Sequence, residues 1–195
     1  MSALTVSHDL SPDWDELVRT WEGTCGPEGS KVEIIEGIVT VAPPPSKTHN
    51  LIAHLVHRSL LRGVPTEWAV CQTLGTAVPS RSGLYIPDLV VVPEGELRTD
   101  GDPYVLASVA ELVVEITSPG NAAHDRLKKP AGYAQAGVPL YLLIDRWAPG
   151  GPAIILYGEP QGDTYRVLSA GKFGDPVDLP EPFGCVLDTA DHPTE

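Results

Sequence analysis

Two acidic residues interrupt runs of apolar β-formers in this 195-residue chain. Asp88 follows Pro87 and opens the run 89 to 92, and Glu115 lies between Val114 and Ile116. A carboxylate among such neighbours is costly to bury unless it is paired, protonated or bound to a metal. If the two strands are neighbours, facing side chains lie about 4.5–5.5 Å apart. Two carboxylates at that range repel and raise a pKa, unless a divalent cation sits between them. That geometry invites Mg²⁺ or Mn²⁺. The structural alternative is an aspartate capping a turn and a glutamate paired with a lysine.

A lysine follows at suggestive spacing. Asp125, Lys129, Tyr133 and Gly137 recur every four residues, so Lys129 is placed to point back over the strand that carries Glu115. An ammonium beside metal-bound carboxylates orients a water and neutralises charge building on a phosphate. Read alone, Asp125 and Lys129 form an i,i+4 surface pair worth about 0.2–0.5 kcal/mol. Pro130 complicates the helix: deep inside one it costs about 3 kcal/mol, but in the first turn it is harmless. The helix is therefore expected to start near Leu127 or Lys128, with Asp125 at or before its cap. Among the histidines, His54 and His57 stand at i, i+3 without a third ligand, and solvated side chains are the better reading. His49 and, more weakly, Gln72 are candidates for approaching the site.

The elements that must position these groups read as follows. Residues 12 to 22 form a short helix with Ser11 as N-cap, Pro12 at N1 and Trp14, Leu17, Val18 and Trp21 on one face. Residues 32 to 41 form a hairpin turning at Glu36-Gly37. From 49 to 62, Leu51, Ile52, Leu55, Val56 and Leu60 mark an amphipathic helix ended by Gly63 and Pro65. Strands are expected at 68–72, 74–78, 88–92 and 111–117, the last two apolar enough to be central. A second helix over 125–136, a buried strand over 138–145 and a terminal hairpin with a Gly-Asp turn complete a mixed α/β fold around one curved sheet.

Composition limits the function classes. Thirteen basic against 26 acidic residues give a net charge of −13, which excludes a sequence-blind nucleic-acid coat and a polybasic membrane binder. A metal-dependent nuclease is not excluded, because its site must itself be acidic. If DNA is bound, Arg58, Arg62, Arg81, Arg98, Arg126, Lys128 and Lys129 are expected to gather on one face. Hydrophobic residues at 42% and charged residues at 20% fit a globular protein, read as a single domain over 1–195. Three scattered cysteines support neither a disulfide scaffold nor a zinc ribbon, and with no signal peptide or apolar span the expected location is the cytoplasm.

Tyr85-Ile-Pro-Asp88, then Leu112-Val-Val-Glu115-Ile-Thr-Ser118-Pro119, then Asp125, Lys129, Tyr133, Ala136-Gly137-Val138-Pro139, Tyr141 and Asp145 together resemble the Uma-two family. These are bacterial proteins of the PD-(D/E)XK endonuclease superfamily. Val32-Glu33-Ile-Ile-Glu-Gly37 and the Pro-Pro-Ser…His49 segment match its N-terminal signature, and the resemblance covers roughly residues 30 to 182. It implies a restriction-endonuclease-like core in which Asp88, Glu115 and the backbone carbonyl of Ile116 bind the metal. Glu33 would assist as a ligand or water-orienting base. In the usual form of the superfamily a lysine stands two residues after the glutamate; here that position is Thr117, and the lysine has moved to Lys129. The reading is a DNA endonuclease using Mg²⁺ or Mn²⁺, with a homodimer implied by analogy. Two alternatives remain: a catalytically degenerate nuclease fold serving as a binding or regulatory module, and a metallohydrolase for smaller phosphate esters.

Overall fold

In this computed structural model, residues 13–98 and 101–194 are described. The chain runs α1 (Trp14–Gly23), β1 (Lys31–Ile35), β2 (Ile38–Ala42), α2 (Lys47–Gly63), β3 (Trp68–Cys71), β4 (Gly75–Val78), β5 (Gly83–Tyr85), β6 (Leu89–Pro93) and β7 (Tyr104–Leu106). It continues through β8 (Leu112–Ile116), α3 (Lys129–Gln135), β9 (Leu140–Asp145), β10 (Ala153–Gln161), β11 (Thr164–Lys172), β12 (Val177–Leu179) and β13 (Cys185–Leu187). The mixed α/β class holds. The single curved sheet divides into a six-stranded sheet, β11-β10-β9-β8-β6-β3, a five-stranded sheet, β2-β1-β5-β4-β7, and the ribbon β12-β13.

Period-two burial explains the layers. On one face of the six-stranded sheet Leu89, Val91, Leu112, Val114, Leu142 and Ile144 pack under Ile52, Val56 and Leu60 of α2 and under Val177, Leu179 and Phe183. On the other face Val90, Val92, Val113, Tyr141 and Leu143 meet Tyr133 of α3 and Ile35, Val78 and Tyr85 of the five-stranded sheet. α1 covers the outer side of that second sheet through Leu17 against Ile34, Ala77 and Leu84. β8 and β6, the two most apolar strands, lie inside the six-stranded sheet and are buried throughout their pairing, as a near-continuous apolar run requires.

The β1–β2 hairpin turns at Glu36 and Gly37, with φ of 51° and 78° and Ile35 facing Ile38. Two consecutive positive φ angles belong to the turn whose twist suits a two-residue hairpin. Glu36, which pays for that conformation without being Asn or Gly, is held by Lys128 Nζ at 2.8 Å. α1 starts at Trp14 after Asp13 as its cap residue, two residues later than the sequence implied; Ser11 and Pro12 lie outside the described residues.

The helix after β8 corrects the expectation about Pro130. Helical backbone already begins at Ala122, passes through a π-helical turn at His124–Lys128, and continues as α3. Asp125 is therefore inside the helical path and not its cap. Lys129 N–H donates to His124 O, five residues back. In the same pattern Asp125 O would need an N–H from Pro130, which has none. Tyr141 Oη donates to that carbonyl instead, at 2.6 Å. The wider turn thus accommodates the proline, and a buried hydroxyl from β9 closes the one gap it leaves.

At Gly132, α3 runs close against Tyr85 of the second sheet. A Cβ there would lie 2.5 Å from Tyr85 Oη and 2.8 Å from its ring. Tyr85 is fully buried and packs edge-on against Tyr133 with centroids 5.2 Å apart, so it has nowhere to retreat. Alanine gains about 1 kcal/mol of helix propensity, but overpacking costs about 1–3 kcal/mol. Gly132→Ala is expected to lose roughly 1 kcal/mol net, read as a lower urea midpoint at unchanged slope.

Candidate functional site

The β6–β8 ladder sets the geometry. Leu89 pairs with Val114 and Val90 with Val113, so the next step places Asp88 opposite Glu115 on the same face. Asp88 Oδ2 accepts from Ile116 N at 2.7 Å, which fixes the carboxylate at the strand end. Its Oδ1 accepts from Lys31 Nζ at 2.5 Å and lies 2.9 Å from His49 Nε2. Burial alone would raise the Asp88 pKa, but Lys31 and His49 outweigh it and hold the carboxyl below its ordinary value.

Glu33 enters from β1. Its Oε1 accepts from Ile86 N at 2.7 Å and pairs with Lys129 Nζ at 2.9 Å. Lys129 also reaches Glu115 Oε1 at 3.1 Å and Asp125 Oδ1 at 3.2 Å. The Asp125 contact is an ion pair without hydrogen-bond alignment, since that oxygen has no hydrogen-bond partner. Burial would depress the ammonium, but Glu115, Glu33 and Asp125 together raise the Lys129 pKa well above its ordinary value. Glu115 moves the opposite way to Asp88. Burial, with Asp125 and Asp88 nearby, lifts its pKa well up despite the pull of Lys129. Tyr133 Oη donates to the same Glu115 oxygen at 3.3 Å.

Lys31, Glu33, His49, Asp88, Glu115, Asp125 and Lys129 all line one cavity of about 400 Å³, bordered by the 43–46 loop, the 116–121 segment and Trp147. Glu33, Asp88, Glu115, Asp125 and Lys129 are each buried. Four carboxylates confront two ammonium groups there, Lys31 and Lys129, so the acids outnumber the ammonium groups by two. Such an excess is relieved either by a proton, as the raised Glu115 pKa indicates, or by a divalent cation. The donors are hard oxygens, which suit Mg²⁺ or Mn²⁺ rather than zinc. Among the described residues no group of three or more His, Cys, Asp or Glu side chains is arranged to hold a metal ion. Asp88 and Glu115 beside the open cavity instead fit a cation that keeps several waters and takes phosphate oxygens, as Mg²⁺ does. Ile116, whose carbonyl the family resemblance nominated, lines the same cavity.

Thr117, at the position of the superfamily lysine, is fully buried and serves the scaffold. Its hydroxyl donates to Asp145 Oδ1 at 3.0 Å and accepts from Arg146 N at 3.1 Å. Arg126 grips the same aspartate through Nε at 2.8 Å and Nη2 at 2.9 Å, and Nη2 also reaches Trp147 O at 2.7 Å. That network ties the π-helical turn to the end of β9.

Of the residues nominated from sequence, Glu33, Asp88, Glu115, Lys129 and His49 converge. Gln72 does not. It is exposed just past β3 and its amide lies 3.2 Å from His57 Nδ1, away from the carboxylates. His54 is exposed, as a solvated histidine should be. Lys31 was not foreseen. Its signal lay in the strand period, because residues 31, 33 and 35 of β1 share the face that carries Glu33. Nothing in the sequence marked Trp147, which is half exposed at the cavity rim with Arg146 packed 5.6 Å from its ring centroid.

Comparison with known proteins follows the same line. The Uma2 family profile, described as "Putative restriction endonuclease", matches residues 14–190. A crystal structure of a "putative nuclease belonging to DUF820" from Anabaena variabilis superposes with a TM-score of 0.69 at 19% identity, covering 92% of this chain and 96% of that one. At that identity the likeness establishes a shared fold. No curated protein matches the sequence. Among the described residues, no helix is long and apolar enough to cross a membrane.

Proposed function

This chain belongs to the Uma2 family of restriction-endonuclease-like proteins, and from that premise we propose that it is a metal-dependent endonuclease hydrolysing DNA phosphodiester bonds. Asp88, Glu115 and the Ile116 carbonyl are the ligands for Mg²⁺ or Mn²⁺. Glu33 and Lys129 work beside them, within one nuclease-like domain acting in the cytoplasm, where cysteines stay reduced. The observation that carries this reading is the meeting of Glu33, Asp88, Glu115 and Lys129, from four separate elements, in one cavity.

When bound, the cation supplies Lewis acidity toward a phosphate oxygen. The remaining work falls to the chain. Lys129, kept charged by three carboxylates, offers a fixed ammonium to the negative charge that develops on the phosphate. Glu33 is held by the Ile86 amide, so its carboxylate is oriented to accept a proton from an attacking water. His49 and the Ile116 amide keep Asp88 aimed into the cavity.

Plasmid nicking tests the proposal. Supercoiled DNA is expected to relax in the presence of Mg²⁺ or Mn²⁺ and to stay intact once the metal is chelated. Undiminished nicking in chelator would refute metal dependence. One observation favours a second reading, the non-catalytic binding module: both Asp88 oxygens are already engaged, by Lys31, His49 and the Ile116 amide. Calorimetry separates the two, since a module of that kind takes up no Mn²⁺ at millimolar concentration.

A further inference from the structure

The net charge of −13 poses a problem for any protein that must hold DNA, and the placement of its few basic residues bears on it. Lys31 and Lys129 are committed to the cavity. Arg81, Arg98, Arg126, Lys128 and Arg166 are paired with acids of their own chain. Of the seven basic residues expected on one face, Arg81, Arg98, Arg126, Lys128 and Lys129 are thus occupied by acids of the chain. Lys172 donates to Gly150 O, and Arg146 packs on Trp147. Among the described residues this leaves Arg19, Lys47, Arg58 and Arg62 with neither an acidic nor a backbone partner for the side chain, and the last three share one helix.

That helix, α2, is 17 residues long and contains no acid, in a chain that has 26. Its buried side is Ile52, Ala53, Val56 and Leu60. Lys47, Asn50, His54, Arg58 and Arg62 are all exposed, at steps of three or four residues that place them in one row. The row has a fixed origin. Ser46, which caps the helix, and His49, in its first turn, both line the cavity, and His49 contacts Asp88. From Lys47 to Arg62 the row extends about 22 Å at 1.5 Å per residue, the axial span of about six nucleotides of one strand at 3.4 Å each.

We infer that the exposed face of α2 is the DNA track, on which Lys47, Arg58 and Arg62 neutralise phosphates of the strand whose backbone enters the cavity. The track rests on the nuclease reading for its substrate, but it is a separate surface. The acidic remainder of the chain repels a polyanion, and the acid-free helix leaves one approach that leads to the carboxylates.

Salt-dependent binding of a labelled duplex oligonucleotide, followed by fluorescence anisotropy on the full chain, tests this. The variant K47A/R58A/R62A removes the row. The control R98A/R166A removes two exposed arginines that already serve acids of the protein. Each phosphate contact contributes about 0.9 to the slope of log K against log salt for duplex DNA. The triple variant is expected to lower that slope by about 2–3 and to weaken binding at low salt at least about tenfold, while the control keeps the wild-type slope. An unchanged slope in the triple variant overturns the track, and so does an equal drop in the control. A wild-type chain that binds no DNA overturns both the track and the endonuclease reading. Wild-type binding that depends on the row but is never followed by nicking in Mg²⁺ or Mn²⁺ supports the track and refutes the endonuclease.

Discussion

Lys129→Met is expected to cost about 3–5 kcal/mol of folding stability, the range for removing one partner of a buried ion pair. The side chain is 3% exposed and sits between Glu33, Glu115 and Asp125, so its loss strands three buried carboxylates at once. The sign of the pH response follows. The folded-state pKa of Glu115 already lies above its ordinary value through burial, with Lys129 as the main force pulling it down. Without the ammonium it rises further, so the folded variant holds that proton more tightly than the unfolded chain does. The stability linked to that proton is present at acid pH and is lost as pH climbs through the raised pKa. Urea unfolding of the variant should therefore improve from neutral toward mildly acidic pH. Adding Glu115→Gln should recover part of the loss. Strict additivity of the two substitutions would show that the charges do not interact as their distances imply.

Glu115→Gln alone should separate activity from folding. The amide is nearly isosteric, and it removes a carboxylate that burial already disfavours, so the urea midpoint should hold or rise. Nicking should fall at least about 100-fold, since even groups one shell removed from a metal cost 10–100-fold. Asp88→Asn is expected to lose activity similarly, but with some loss of stability, because Lys31 would lose its carboxylate. Near-wild-type nicking by either variant would end the assignment of these two residues as ligands. Loss of activity that tracked loss of folding would reduce them to structural roles.

The site was largely legible in the sequence, for reasons that lie in β-strand chemistry. Asp88 and Glu115 stood out because almost nothing else polar occupies the central strands, and the antiparallel pairing of β6 with β8 placed them face to face. Lys31 was overlooked because the hairpin was expected to begin at residue 32, one position after it, although its place two residues from Glu33 carried the information. Pro130 misled because its usual meaning is the start of a helix. The π-helical turn and the Tyr141 hydroxyl resolve that conflict through a tertiary contact which no local pattern encodes. β5, β7, β12 and β13 are three residues each, too short for alternation to be read. With them went the division into two main sheets, since β5 joins β1 to β4.

The widened turn ahead of Lys129 has an outcome for how this protein can vary. Leu127, in its middle, is 71% exposed, so the surface there should accept many substitutions. Its length is another matter. Removing one of residues 126 to 128 would restore an ordinary helical repeat and set Pro130, inside the helix, against the Asp125 carbonyl four residues back, a clash that costs about 3 kcal/mol or more. A stretch that looks permissive to exchange is thus intolerant of deletion, and the spacing of the chain there, more than its composition, is what descent must preserve.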